Sequence, residues 1–229
     1  MHRFHCETDR HPGSGLLRTA IICAGILFAW VPATLHAQAV IEGTVQWAAR
    51  TETPEPNSRY QIKSGTPGKP EPALPVVYLE GAFPATTNAP ARAELPQKDF
   101  QFLVRVLPVR KGATVDFPNH DDDYHNVFSY SKIKRFDLGR YRKDEKPASI
   151  TFDKPGVVKL YCEIHEHMRA SIVVLETPYF QKTDTAGRFR LEGLPAGKHT
   201  FKVWHEDKIV ERPVELKDGE TLKLDLALP

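Results

Sequence analysis

Along most of this chain apolar residues recur at every second position, in short runs broken by Gly, Pro, Asn and Asp. That period sends alternate side chains to opposite faces of an extended strand. Phe100 to Pro108, Thr114 to Phe117, His125 to Ser129, Ala148 to Phe152 and Val157 to Cys162 read as strands in quick succession, and Ala170 to Leu175 follows. Farther on, Arg188 to Glu192, His199 to Trp204, Ile209 to Leu216 and Thr221 to Leu228 repeat the pattern. In the last of these, Leu222, Leu224, Leu226 and Leu228 share one face and Lys223 and Asp225 the other. Upstream, Val40 to Trp47 and Val76 to Glu80 are two more strands, rich in β-branched residues. The region of Phe100 to Leu175 shows no 3.6-residue apolar period long enough for a helix. The predicted fold class is all-β.

Three stretches carry no such pattern. Residues 51–75 hold Pro54, Pro56, Pro67, Pro70 and Pro72 among polar residues, and Phe83 to Leu95 is also linker-like. Ser131 to Pro147 is strongly basic and reads as a solvated loop, with a docking surface for an acidic partner as the sharper alternative. At the start, Arg3, Arg10 and Arg18 precede an apolar run from Thr19 to Leu35, with Ala37 and Ala39 as cleavage positions. Residues 1–39 are therefore expected to be an export signal, and the protein periplasmic or secreted. Pro32 interrupts the run, which is short for a membrane span; a retained anchor is the alternative.

Composition changes the picture in two ways. With 31 Lys+Arg against 29 Asp+Glu, no nucleic-acid partner is expected. The 41% hydrophobic content excludes a wholly disordered chain, and 19 prolines with 14 glycines suit a turn-rich β protein. Signal removal would take Cys6 and Cys23 with it, leaving Cys162 as the exported chain's one thiol and Met168 as its one thioether. A lone cysteine in an oxidising compartment cannot close an internal disulfide.

Those two sulfurs bracket His165 in Cys162-Glu163-Ile164-His165-Glu166-His167-Met168. Thiolate, imidazole and thioether are soft or borderline ligands, and a trigonal copper site takes one thiolate, two imidazoles and a weak axial thioether. Cys162, His165 and Met168 fit three of these roles from a single loop, and His125 is the candidate for the second nitrogen. His167 is the rival to His165, disfavoured because it would leave Met168 directly adjacent. His120 is the rival to His125, but it lies beside Asp121-Asp122-Asp123, which reads as a solvated loop. Zinc is the rival metal, and a thioether is not among its usual ligands. His199 and His205 stand alone and read as structural.

His125-Asn126-Val127, the strand Val157 to Cys162 after Pro155-Gly156, and Cys-x2-His-x2-Met followed by Arg169 together resemble the cupredoxins, in particular the amicyanin and plastocyanin group. The resemblance covers about residues 98–176. It implies a Greek-key β-sandwich and one type 1 copper held by His125, Cys162, His165 and Met168. It also implies that Asn126 ties the two ligand loops together, and that His165 reaches the surface as the exit for electrons. Tyr124 stands where a proline would precede the first histidine, and Glu163, Glu166 and His167 replace an apolar collar. The tail pattern Thr183-Asp184-x-x-Gly187-x-Phe189-x-Leu191-x-Gly193-Leu194-Pro195-x-Gly197 resembles the carboxypeptidase-regulatory-like, transthyretin-type β-sandwich. Its usual opening strands are missing from the tail, and Gly43-Thr44-Val45 and Val76-Val77-Tyr78-Leu79 could supply them from upstream. The expected domains are thus 40–84 with 177–229 as one smaller, discontinuous sandwich, and 95–176 as the copper domain inserted in it. The whole resembles bacterial methylamine-utilisation proteins.

The resemblance implies a carrier of single electrons, cycling Cu(I)/Cu(II) with a redox protein partner of the cytochrome or dehydrogenase type. Four protein ligands leave no open position for a small-molecule substrate, so no enzymatic activity is expected. Copper handling as a chaperone, sensor or store is the alternative, and a structural module with a vestigial site is the third reading.

Overall fold

The computed structural model describes residues 38–47, 71–81, 83, 91–145, 147 and 149–229. Residues 1–37 of the expected export signal and most of the proline-rich stretch lie outside the described residues. Among the described residues the fold is all-β, and no helix is long and apolar enough to cross a membrane.

The chain begins with β1 (Ala39–Gln46) and β2 (Val76–Glu80). Then come β3 (Arg92–Glu94), the hairpin of β4 (Gln97–Lys98) and β5 (Gln101–Phe102), β6 (Val106–Arg110) and β7 (Ala113–Asp116). The region that will hold the site continues with β8 (His125–Ser129), β9 (Phe136–Tyr141), β10 (Ile150–Phe152), β11 (Gly156–Tyr161) and β12 (Arg169–Leu175). The tail contributes β13 (Phe180–Lys182), β14 (Arg188–Leu194), β15 (Gly197–His205), β16 (Lys208–Leu216), β17 (Thr221–Lys223) and β18 (Leu226–Ala227).

The middle strands form two sheets, one ordered β6-β12-β11-β8-β9 and the other β10-β7-β3. Their inward faces meet in one core that includes Phe102, Phe117, Val127, Phe152, Leu160 and Ile172. Most pairs are antiparallel, but β6 runs parallel to β12 and β3 parallel to β7.

The flanking strands pair with one another rather than with this middle region. β1 lies between β14 and the last two strands, antiparallel to β14 and parallel to β17 and β18. β2 lies between β13 and β15, and β16 completes that sheet. A second core, including Ile41, Leu79, Phe189, Leu194, Phe201 and Leu216, fills the space between. Chain approach here is close. A Cβ added to Gly43 would sit 2.0 Å from the Leu224 carbonyl oxygen, and one added to Gly187 would sit 2.1 Å from that of Val45. The two sandwiches share a third cluster, in which Val76 and Trp204 pack on Val106, Val173 and Leu175.

Three stretches depart from their predicted states. The linker-like Phe83 to Leu95 ends in β3, which is paired to β7, and in the buried Leu95. Ser131 to Pro147 contains β9, which pairs along β8. Its inward residues Phe136 and Leu138 pack on the core, and charges on the outer positions mask the alternation. Those charges are largely answered within the chain, Arg140 by Glu163 at 2.7 Å, Lys134 by Asp153 at 3.5 Å and Lys143 by Asp122. Phe100 to Pro108 is likewise not one strand. A turn at Asp99-Phe100 and a break after Phe102 divide it.

Candidate metal centre

β11 delivers Cys162 to the core by simple alternation, because Val158, Leu160 and Cys162 point to one face and are all buried. The chain then makes a tight turn in which the Met168 N–H donates to the His165 carbonyl at 2.9 Å, and β12 departs. This turn holds His165 and Met168 on the Cys162 side. β8 antiparallel to β11 sets His125, its first residue, beside the loop, with Tyr161 paired to Phe128. Asn126 crosses the gap between the two segments. Its side-chain oxygen accepts the Glu163 N–H at 3.2 Å, and its amide nitrogen donates to Asp137 at 2.7 Å.

Among the described residues, His125, Cys162 and His165 bring one ligand atom each within 4.8 Å of one another. The two imidazole Nδ1 atoms lie 3.0 Å apart, and Cys162 Sγ lies 4.0 Å from His165 Nδ1. An ion bonded to nitrogen and sulfur at about 2.0–2.3 Å leaves its donors about 3–4 Å apart, so the set fits a metal. Met168 is fully buried in the same core cluster as Cys162. The rivals His120 and His167 lie outside the converging group.

The electrostatics favour ligation. Burial opposes ionisation of Cys162, yet hydrogen bonds from His125 and His165 and from the backbone N–H groups of Asn126 and His165 bring its pKa down to about 6. Burial pushes the fully buried His125 down, but the Cys162 thiolate and the Asp121 carboxylate outweigh it and raise its pKa. His125 Nε2 donates to Asp121 Oδ2 at 2.7 Å. That bond orients the ring with Nδ1 toward the centre, so that its lone pair faces the centre once Nδ1 gives up its proton, the usual carboxylate–histidine support of a metal ligand.

Two residues at the site were missed by sequence reasoning. Asp121 sits in a run of three aspartates and reads as solvated, yet it is partly buried against His125. Phe100 reads as the start of a strand, yet it occupies a turn and packs edge-on against His165, with ring centroids 5.0 Å apart. His165 is consequently half-buried rather than open to solvent. His167 donates from Nε2 to the Phe100 carbonyl at 2.8 Å, and burial holds its pKa below the ordinary value. Away from the centre, His199 and His205 bond the carbonyls of Pro195 and Ala73 at 2.9 and 2.8 Å.

No protein-family model matches the sequence, and no curated protein does. Solved structures do. A reduced Cu(I) form of an amicyanin variant at pH 4 is 21% identical with a TM-score of 0.34, the match covering 43% of this chain and 97% of that one. Another reduced amicyanin variant is 23% identical with a TM-score of 0.33 over the same shares. A purple cupredoxin from Nitrosopumilus maritimus is 22% identical with a TM-score of 0.32, covering 37% of this chain and 98% of its own.

Proposed function

We propose that this chain is an exported type 1 copper protein that carries single electrons between redox proteins. The observation that carries the reading is the convergence of His125 Nδ1, His165 Nδ1 and Cys162 Sγ in a buried pocket, where the thiol is already inclined to ionise. His125, Cys162 and His165 would hold one copper, and Met168, buried beside them, would be the weak axial donor. Copper bound there would supply a one-electron Cu(I)/Cu(II) couple. The chain's own part is to hold the donors still. Asp121 fixes the His125 ring, Asn126 ties β8 to the Cys162 loop, and the Met168–His165 backbone bond sets the turn. Donors fixed before the metal arrives need little rearrangement when an electron comes or goes, which suits a carrier.

The second sandwich, of transthyretin type in this reading, serves as scaffold or partner-binding module. The buried cluster joining it to the copper lobe supports a mechanical role. The signal-like start of the chain favours a periplasmic or secreted location. Copper-loaded protein titrated with a redox mediator tests the proposal: reversible one-electron cycling supports a carrier. Copper that is lost to a partner and never cycles would instead indicate a copper-handling protein.

A further inference from the structure

The short hairpin of β4 and β5 turns on Asp99 and Phe100, whose φ angles are +52° and +59°. Such a left-handed pair is the backbone of the tight two-residue hairpin turn, where Asn-Gly or Asp-Gly is the favoured sequence. A phenylalanine at the second position is costly, and residues held in that region cluster at functional sites. It is also out of place by burial. A bulky residue at a hairpin tip should be exposed, yet Phe100 is 8% exposed.

The turn folds back over the metal centre. The Phe100 ring stands edge-on to both imidazoles, its centroid 5.0 Å from that of His165 and 5.9 Å from that of His125. Its carbonyl is held by His167. The turn is held at a second point by one carboxylate. The N–H of Asp99 donates to Asp121 Oδ1 at 2.8 Å and the N–H of Phe100 to Oδ2 at 3.0 Å. Asp121 Oδ2 is also the atom that accepts from His125 Nε2. Asp121 is set in place in turn by Asn119, whose side-chain oxygen accepts its N–H at 2.8 Å, and the preceding N–H, of His120, donates to the Gln97 carbonyl at 2.9 Å.

We propose that Asp121 is a positioning residue that locks the 97–102 hairpin as a cover over the metal centre, with the Phe100 ring as the part that closes it. One carboxylate thereby orients a ligand and restrains the strained turn that shields the other ligand. The cover slows escape of the metal and keeps water from the His165 side, and the charge of Asp121 favours the oxidised ion. This rests on the copper reading given above.

The test uses the full copper-loaded chain, with bicinchoninate as the probe that extracts Cu(I), and the reduction potential as a second readout. If unmodified protein holds no copper, the copper reading itself fails. If it holds copper, Phe100→Gly is compared with it, since glycine suits the turn's φ and removes only the ring. Extraction should be about tenfold faster or more, on the scale by which groups next to metal ligands affect metal sites. Phe100→Tyr keeps the ring and should keep the slow extraction. Asp121→Asn should speed extraction and move the potential in the positive direction, because losing the negative charge weakens Cu(II) more than Cu(I). Water admitted by Phe100→Gly should move the potential the other way. Extraction from Phe100→Gly at the original rate, or an Asp121→Asn potential that does not move, would overturn the proposal.

Discussion

The side-chain oxygen of Asn126 accepts the backbone N–H of Glu163 at 3.2 Å, and this bond joins the segment carrying His125 to the loop carrying Cys162 and His165. Asn126 is 1% exposed, so no water replaces the bond when it is removed. Asn126→Ala should cost about 1–3 kcal/mol of stability in chemical denaturation, the penalty for leaving buried polar partners unmet. A midpoint equal to the parent's would show that the tie is dispensable.

Titration of the metal-free protein checks the state of the thiol. Cys162 should ionise with a midpoint near pH 6, well below the ordinary thiol value of about 8.5, followed by thiolate absorbance with Cys162→Ser as the blank. The sign for stability follows. A depressed pKa contributes stability that is present above the unfolded value and is lost as pH falls through about 6. His125, with its pKa raised, works oppositely: its contribution is complete below about 6.5 and is lost as pH rises through the folded value. Cys162→Ser should therefore remove the acid-side loss, and an unchanged pH profile would count against a native thiolate. Because the metal binds the deprotonated forms, copper affinity should also fall as pH drops through the raised His125 pKa, and more steeply below about 6, where Cys162 is protonated too.

Two glycines test how the N-terminal strands meet the tail. Gly43→Ala would drive a methyl to 2.0 Å from Leu224, and Gly187→Ala combines a 2.1 Å approach to Val45 with a φ of +79°. Each should destabilise by about 1–3 kcal/mol or more, the range for overpacking. Gly139→Asn is the control. Nothing lies within 4 Å of its added Cβ, and asparagine tolerates its φ of +69°. Loss of stability only in the control would contradict the pairing of β1 with β14 and the last strands.

How far the site was legible follows from the kind of signal each residue leaves. Cys162, His165 and Met168 are close in sequence, so their spacing states the chemistry before any fold is known. His125 is remote, but it opens an alternating strand, and pairing brings it to the loop. Asp121 and Phe100 leave no such trace. An aspartate in a run of three reads as solvated, and only the contact with His125 shows otherwise. A phenylalanine preceding apolar residues reads as strand, because period two carries no sign of a turn that is paid for in backbone strain. β9 was hidden for a related reason: its outward positions are charged and Gly139 interrupts the pairing where the register shifts.

Met168 can be told apart from a core filler. Met168→Leu conserves volume, so stability should change by less than about 1.5 kcal/mol. The reduction potential should rise, since removing a sulfur donor weakens Cu(II) relative to Cu(I). Equal potentials in the two proteins would assign Met168 to packing alone.

The central claim is that Cys162 binds copper as a thiolate with His125 and His165. Optical and electron-spin-resonance spectra of the copper-loaded protein, recorded beside Cys162→Ser, test it most directly. The account predicts an intense visible thiolate-to-copper charge-transfer band that the serine variant lacks. A copper-loaded protein without that band, or one whose band survives Cys162→Ser, would contradict it.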